Sequence, residues 1–307
     1  MLEDYINALR AGQRATRAAQ ARGQSPYLAV LDDILRGVNI VAQEPLGLVD
    51  IPAESIVGTK TAGRHTAFAP NFMPILEVDS EFARKWSNLC DAHLEEGIRN
   101  PVTAYEYLNK FYVEEGNKRV SVLKYYEAVK IPGTVTRLVP ERNETLENKI
   151  YYEFLDFYKL SKINYVHFSR LGGYAKLQTL VCKATGESWT DDDRLNFASL
   201  YTMFSQQFYA LGGSALGLTP GDALLVYLAV YRYADAIEST PAQVRENLSK
   251  LWDEIKILTR PQAVELQLEP ATKQGAEPLL SKLNIFSPRP SELRVVLLHE
   301  HNAQTSA

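Results

Sequence analysis

The apolar spacing of this 307-residue chain changes near residue 147, and that change constrains the fold more than any other feature. From about 45 to 140, short runs of Val, Ile, Tyr and Thr alternate with stretches whose apolar residues step by three and four. Beyond 147 only the helical spacing persists, filled by Tyr, Phe and Leu. Strand and helix periods interleaved in so short a span call for a sheet covered by helices. A purely helical remainder must bury its stripes helix on helix. The expected class is α+β: a small mixed-sheet domain at 45–142 and an all-α region at 147–260, preceded by N-terminal helices at 1–44.

Local chemistry places the elements. Leu2, Tyr5, Ile6 and Leu9 form one stripe of a helix over 2–22, with Arg10, Arg14, Arg17 and Arg22 around its polar side and Gly23 as its stop. YLAVLDDILR (27–36) reads as a second short helix, and LGLVDIP (46–52) and FMPIL (72–76) as strands. A helix over 81–97, capped by Asp79 or Ser80, is expected to bury Phe82, Trp86, Leu89, Cys90 and Leu94. PVTAYEYL (101–108) and KFYVEE (110–115) make a tight hairpin about Asn109. NKRVSVLKYYEA (117–128) is a helix with Val120, Leu123 and Tyr126 inward, and IPGTVTRLVP (131–140) is the next strand. Further on, Thr190, Thr219 and Thr240 are N-caps, the last two followed by proline at the first helical position. Helices are expected over 147–161, 218–233 and 239–258. Residues 261–292 hold five prolines and read as a linker. LRVVLLHE (293–300) reads as a buried strand with no neighbours downstream, so the chain is expected to stop just inside a further domain at 293–307.

A formal charge of −4 argues against a generally basic, nucleic-acid-binding surface. Cys90 and Cys182 lie in apolar-periodic stretches and read as two buried thiols. The N-terminus lacks the apolar core of a secretory signal, and the longest apolar runs fall well short of a membrane span, so a cytoplasmic protein is expected.

Chemistry concentrates in YVEEGNKRVSVLKYY (112–126). A strand reaches Gly116, and a helix begins whose first turn holds Asn117, Lys118 and Arg119. First-turn N–H groups lack intrahelical partners, the helix dipole adds positive charge, and arginine can grip phosphate through two bonds. Glu114 and Glu115 oppose an anion there unless they point away, pair with the cations, or share a metal with it. A second stretch, Gly58-Thr59-Lys60-Thr61-Ala62-Gly63-Arg64, suits an anion as a flexible, donor-rich loop, and its composition equally fits plain exposure. It is not a P-loop, because GxxxxGK[ST] is absent.

FYVEEGNKRVSVLKYYEAVKIPGTVTRL resembles the signature of the ParB/sulfiredoxin superfamily: a strand, G-x-x-R-x-x-A at a helix start, then a strand near Ile-Pro. Gly116, Arg119 and Ile131-Pro132 match, and Val122 stands where the family usually has alanine. Upstream, LVDIPAESIVGTKTAGR resembles the family's opening strand and arginine-bearing loop, ending at Arg64. The resemblance implies a nucleotide pocket, for CTP as in ParB-type proteins or for ATP or ADP as in sulfiredoxin and free-serine kinases, with Mg2+ as an optional companion. Carried over by position, Gly116, Asn117, Lys118 and Arg119 contact phosphates, and Arg64 with Thr59, Lys60 and Thr61 closes the other side. Asn117 and Lys118 stand where sulfiredoxin has its catalytic cysteine, which argues against that activity.

The whole layout is similar to the N-terminal part of bacterial proteins that join a ParB-like module and a helical region to a substrate-binding domain of the basic-membrane-protein (BMP) class. Such domains bind purine nucleosides, and LRVVLLHEHNAQTSA is in that comparison the first strand and loop of one. The resemblance implies a cytoplasmic regulatory sensor of a nucleotide or nucleoside. Two other readings stand beside it. One is a phosphotransferase or hydrolase using Glu114 or Glu115 as base or metal ligand. The other is a structural module in which Arg119 pairs with an acid such as Glu115. DNA binding through residues 190–258, where ParB-type proteins carry a helix-turn-helix, is not favoured, since TPAQVRENLSKLWDEI holds at least as many acids as cations.

Overall fold

Helix α1 (Leu2–Ala21) ends before Gly23, which takes the left-handed conformation at φ 68°. The computed structural model describes residues 2–259; the expected linker at 261–292 and strand at 293–300 lie outside the described residues. Burial in α1 selects Tyr5, Ala8, Gly12 and Ala19, while Leu2 is exposed. Small residues let the helix sit close: a Cβ on Gly12 would lie 2.3 Å from the Pro74 carbonyl oxygen. Tyr5 donates to the Leu76 carbonyl at 2.8 Å, and its ring meets Trp86 edge-on.

The chain divides into two compact units, Met1–Tyr151 and Tyr152–Ala307. Unit 1 is built on one six-stranded mixed sheet. Its strands are β1 (Ala29–Val30), β2 (Ile40–Pro52), β3 (Ile56–Thr59), β4 (Val102–Tyr107), β5 (Lys110–Glu115) and β6 (Lys130–Pro140), in the order β1-β3-β5-β4-β6-β2. β1, β3 and β5 are parallel, as are β4 and β6; β4/β5 and β2/β6 are antiparallel. The expected hairpin is β4–β5. Leu108 and Asn109 turn it at φ 50° and 62°, the two positive values that a two-residue hairpin matching strand twist requires.

Strand alternation sorts the core. Phe111 and Val113 join Val102, Ala104, Ile131 and Val135, together with Val120 and Leu123 of α4 (Asn117–Tyr125). Tyr112, between them, packs instead with Leu31, Tyr107 and Leu138. Helix α3 (Glu81–Glu95) is capped by Ser80, whose Oγ accepts from the Ala83 N–H at 3.1 Å. It packs Ala83, Trp86 and Cys90 against Tyr5, Ala8 and Val122. The Trp86 indole donates to Ser121 at 2.8 Å, so a buried N–H has its partner. Leu94, expected inside, is exposed.

Several local expectations change. Residues 27–36 are not one helix: Leu28 and Val30 are buried in alternation, β1 pairs with β3, and only the single turn α2 (Leu31–Ile34) follows. Residues 72–76 form no strand. Phe72 sits at φ 65° and Pro74 has no N–H to give, which leaves one bridge between Phe68 and Pro74. Gly58 and Thr59 lie in buried strand β3, not in a flexible loop. A Cβ on Gly58 would come within 2.3 Å of the Ala29 carbonyl oxygen, so glycine serves the close approach of two strands. Residues 1–44 belong to the unit that holds the sheet, since β1 and the start of β2 are sheet strands and α1 packs on α3. Cys90 is buried, whereas Cys182 is exposed at φ 61°.

Unit 2 begins within α5 (Leu146–Ser161) and continues through α6 (Gly173–Leu180), α7 (Asp191–Ala210), α8 (Pro220–Val230), α9 (Tyr233–Ala236), α10 (Pro241–Lys250) and α11 (Trp252–Ile257). Thr190, Thr219 and Thr240 form complete capping boxes with Asp193, Asp222 and Gln243. The helix expected over 239–258 breaks at Leu251 into α10 and α11, and α6 has no counterpart in the sequence reading. Aromatic contacts fill the interior, with Phe157 against Tyr174 and Trp189, and Trp189 edge-on to Phe197. Among the described residues no helix is long and apolar enough to cross a membrane.

Candidate functional site

The parallel strands β1, β3 and β5 lead, within two residues, into helical turns after Val30, Thr59 and Glu115. Gly116 follows β5 and is the N-cap of α4, at φ 107°. A Cβ there would lie 2.8 Å from Val102 Cγ1 and 3.1 Å from Arg119 Nε, so both conformation and space require glycine. The Val120 N–H reaches the Gly116 carbonyl at 3.0 Å and opens the helix. The N–H groups of Asn117, Lys118 and Arg119 precede that first bond and have no intrahelical acceptor.

The side chains of this turn diverge. Arg119 donates to the carbonyl oxygens of Asn100 (2.9 Å) and Pro101, and pairs with Glu115 at 3.3 Å. It therefore ties the lead-in of β4 to the end of β5. Asn117 donates from Nδ2 to Thr59 Oγ1 at 3.3 Å, and its own Oδ1 is buried without a hydrogen-bond partner. Thr59 is 4% exposed and donates to the Val113 carbonyl at 3.0 Å, an internal tie between β3 and β5. Lys60 pairs with Asp32 at 3.3 Å, and its Nζ lies 5.2 Å from the Tyr105 ring centroid. Thr61 and Glu114 are exposed, and Glu115 faces solvent apart from its contact with Arg119.

Lys118 goes another way. Its Nζ lies 4.8 Å from the Phe82 ring centroid and reaches a half-open cleft of about 340 Å³. The turn at 62–67, the start of α3, Leu76 and Lys118 wall this cleft. Arg64, Lys85 and Lys118 bring positive charge to it, and Glu81 is the one carboxylate among its lining residues. Lys85 holds Glu81 at 2.6 Å, and that hydrogen bond keeps the Glu81 carboxyl below the usual carboxylate range. Burial first, and then the charges of Arg64 and Lys85, hold the Lys118 ammonium below the usual lysine range; Glu81 opposes them. The helix dipoles of α3 and α4 add partial positive charge at their first turns.

Of the residues singled out in the sequence, Arg64 and Lys118 meet at the cleft, beside Gly63. Arg119, Asn117, Thr59 and Lys60 are held in contacts within the fold. Glu81, Phe82 and Lys85 join the site without a motif of their own; they arrive because α3 packs on α4. The lining carboxylate is already ion-paired, which makes it a poor proton acceptor at neutral pH. The arrangement is suited to holding an anion. Among the described residues there is no group of three or more His, Cys, Asp or Glu side chains that could hold a metal ion. No protein-family model matches the chain, and no curated protein matches it.

Proposed function

We propose that unit 1 is a regulatory module that binds a small phosphate-bearing ligand, nucleotides included, in the cleft walled by the 62–67 turn, α3 and α4. One observation carries this reading: Arg64 and Lys118 converge on the cleft, and neither makes an ion pair among the described residues. They come from the two segments on which the family resemblance rests, 58–64 and 116–119. Like charges gathered in a partly desolvated site raise the energy of the empty protein, and an anion relieves that repulsion. The hydrolase reading draws no support from the cleft, because Glu114 and Glu115 do not line it and Glu115 is engaged by Arg119.

Thermal unfolding of the full chain tests the reading, with inorganic phosphate, nucleotides and unphosphorylated nucleosides, each with and without Mg2+. A saturable upward shift with phosphate compounds alone, lost in Arg64→Gln and Lys118→Gln, is the expected result. Equal shifts from unphosphorylated nucleosides, or no shift at millimolar phosphate compounds, would overturn it.

A further inference from the structure

The same cleft bounds its ligand by charge and by size, in an argument that rests on the anion-binding reading above. Arg64, Lys85 and Lys118 set against Glu81 leave two net positive charges. A phosphomonoester carries about −1.5 to −2 near neutral pH and matches that count. Longer phosphate chains need further cations. The residues that the sequence pattern would supply for them are engaged elsewhere: Arg119 by the oxygens of Asn100, Pro101 and Glu115, and Lys60 by Asp32. At about 340 Å³ the cleft also lies near the small end of ligand pockets, which run from roughly 300 to 1,000 Å³. Phe82 and Leu76 give it an apolar wall, and Phe82 is braced edge-on by Phe68 at 5.3 Å.

We infer that the cleft selects a small phosphomonoester with an apolar or aromatic body over nucleoside di- and triphosphates, its phosphate between Arg64 and Lys118 and its body against Phe82 and Leu76. Glu81 enforces the selection by capping the net positive charge of the site.

Isothermal titration of the full chain at fixed salt decides the matter, with phenyl phosphate, AMP and CMP against ATP and CTP, each with and without Mg2+. The monophosphates should bind at least about tenfold more tightly than the triphosphates, and lose about tenfold or more in Arg64→Gln and in Lys118→Gln. Glu81→Gln, which adds one net positive charge to the cleft, should narrow the gap between the two classes. Triphosphates binding as tightly as monophosphates, or a gap that Glu81→Gln leaves unchanged, would overturn the inference and leave the anion-binding reading standing. Failure of every phosphate compound to bind the wild-type chain, or binding indifferent to both cation variants, would overturn the two together.

Discussion

Glu106 and Arg137 are register partners across the parallel strands β4 and β6, each side chain is 1% exposed, and the two form an ion pair. Tyr151 donates to the Glu106 oxygen that meets Arg137, at 3.1 Å, and the Asn109 N–H donates to the other at 2.7 Å. The buried carboxylate is thus hydrogen-bonded through both oxygens. Removing one partner strands the other charge in a dry interior. Arg137→Met or Glu106→Leu is expected to destabilise unit 1 by about 3–5 kcal/mol in urea unfolding, and the double variant should recover most of that loss. Losses that simply add in the double variant would show that the two side chains do not act as a pair.

Arg119 should behave as a residue of the fold. Arg119→Ala takes the donor from the Asn100 and Pro101 carbonyls and is expected to cost about 1–3 kcal/mol of stability. Arg64→Ala, on an exposed turn, should stay within about 0.5 kcal/mol. The comparison is read from denaturant midpoints without ligand, and similar small shifts from both variants would contradict the assignment.

Three glycines separate space from conformation. Gly58→Ala drives a Cβ into the Ala29 carbonyl and should cost about 1–3 kcal/mol, with faster amide exchange in β1 and β3. Gly116→Ala adds strain at φ 107° to a clash with Val102 and should cost at least as much. Gly23→Ala, at φ 68° in open space, meets only the conformational penalty of about 1 kcal/mol. If Gly23→Ala proved as damaging as Gly58→Ala, crowding at Gly58 would not be the cause.

Unit 2 should lose stability in mild acid because of His167. Both ring nitrogens are buried without hydrogen-bond partners, Phe154 lies 6.1 Å away, and burial pushes the ring from 6.5 down to about 4. The unfolded chain takes up a proton near pH 6.5 that the folded chain refuses until about pH 4. The His167 contribution is therefore flat above that window and falls within it, by about 1.4 kcal/mol per pH unit. Urea midpoints between pH 7.5 and 4.5 should fall more steeply for wild type than for His167→Phe; parallel profiles would rule the ring out as the cause.

Features whose cause and effect lie within a few residues were legible in the sequence. Thr240-Pro241 is a local device, and Thr240 is the N-cap as the sequence indicates; the structure adds Gln243, which completes a capping box. The hairpin about Asn109 followed from side-chain shape on either side of a short turn. What could not be read depends on neighbours distant in sequence. Val30 is in a strand because Thr59 lies beside it. The acceptors of Arg119 include main-chain carbonyls, which no side-chain pattern reveals. Glu81, Phe82 and Lys85 look like any amphipathic helix start until α3 is packed on α4. Glu106 and Arg137 read as ordinary polar positions until the parallel register sets them opposite each other.

The position of β2 has a consequence in time. Ile40 pairs with Pro140 and Pro52 with Lys130, and among the described residues β6 is the one strand beside β2 in the sheet. Most of unit 1 must therefore be synthesised before β2 has a strand to pair with. Pairings of such long sequence separation close late, because the loop must be ordered before any contact rewards it. Until then a nascent chain carries a long strand with unmet backbone donors and acceptors, open to other chains and to chaperones. An edge strand of the sheet is thus made early and paired late, and the delay between the two lengthens the time for which the newborn unit is open to misassembly.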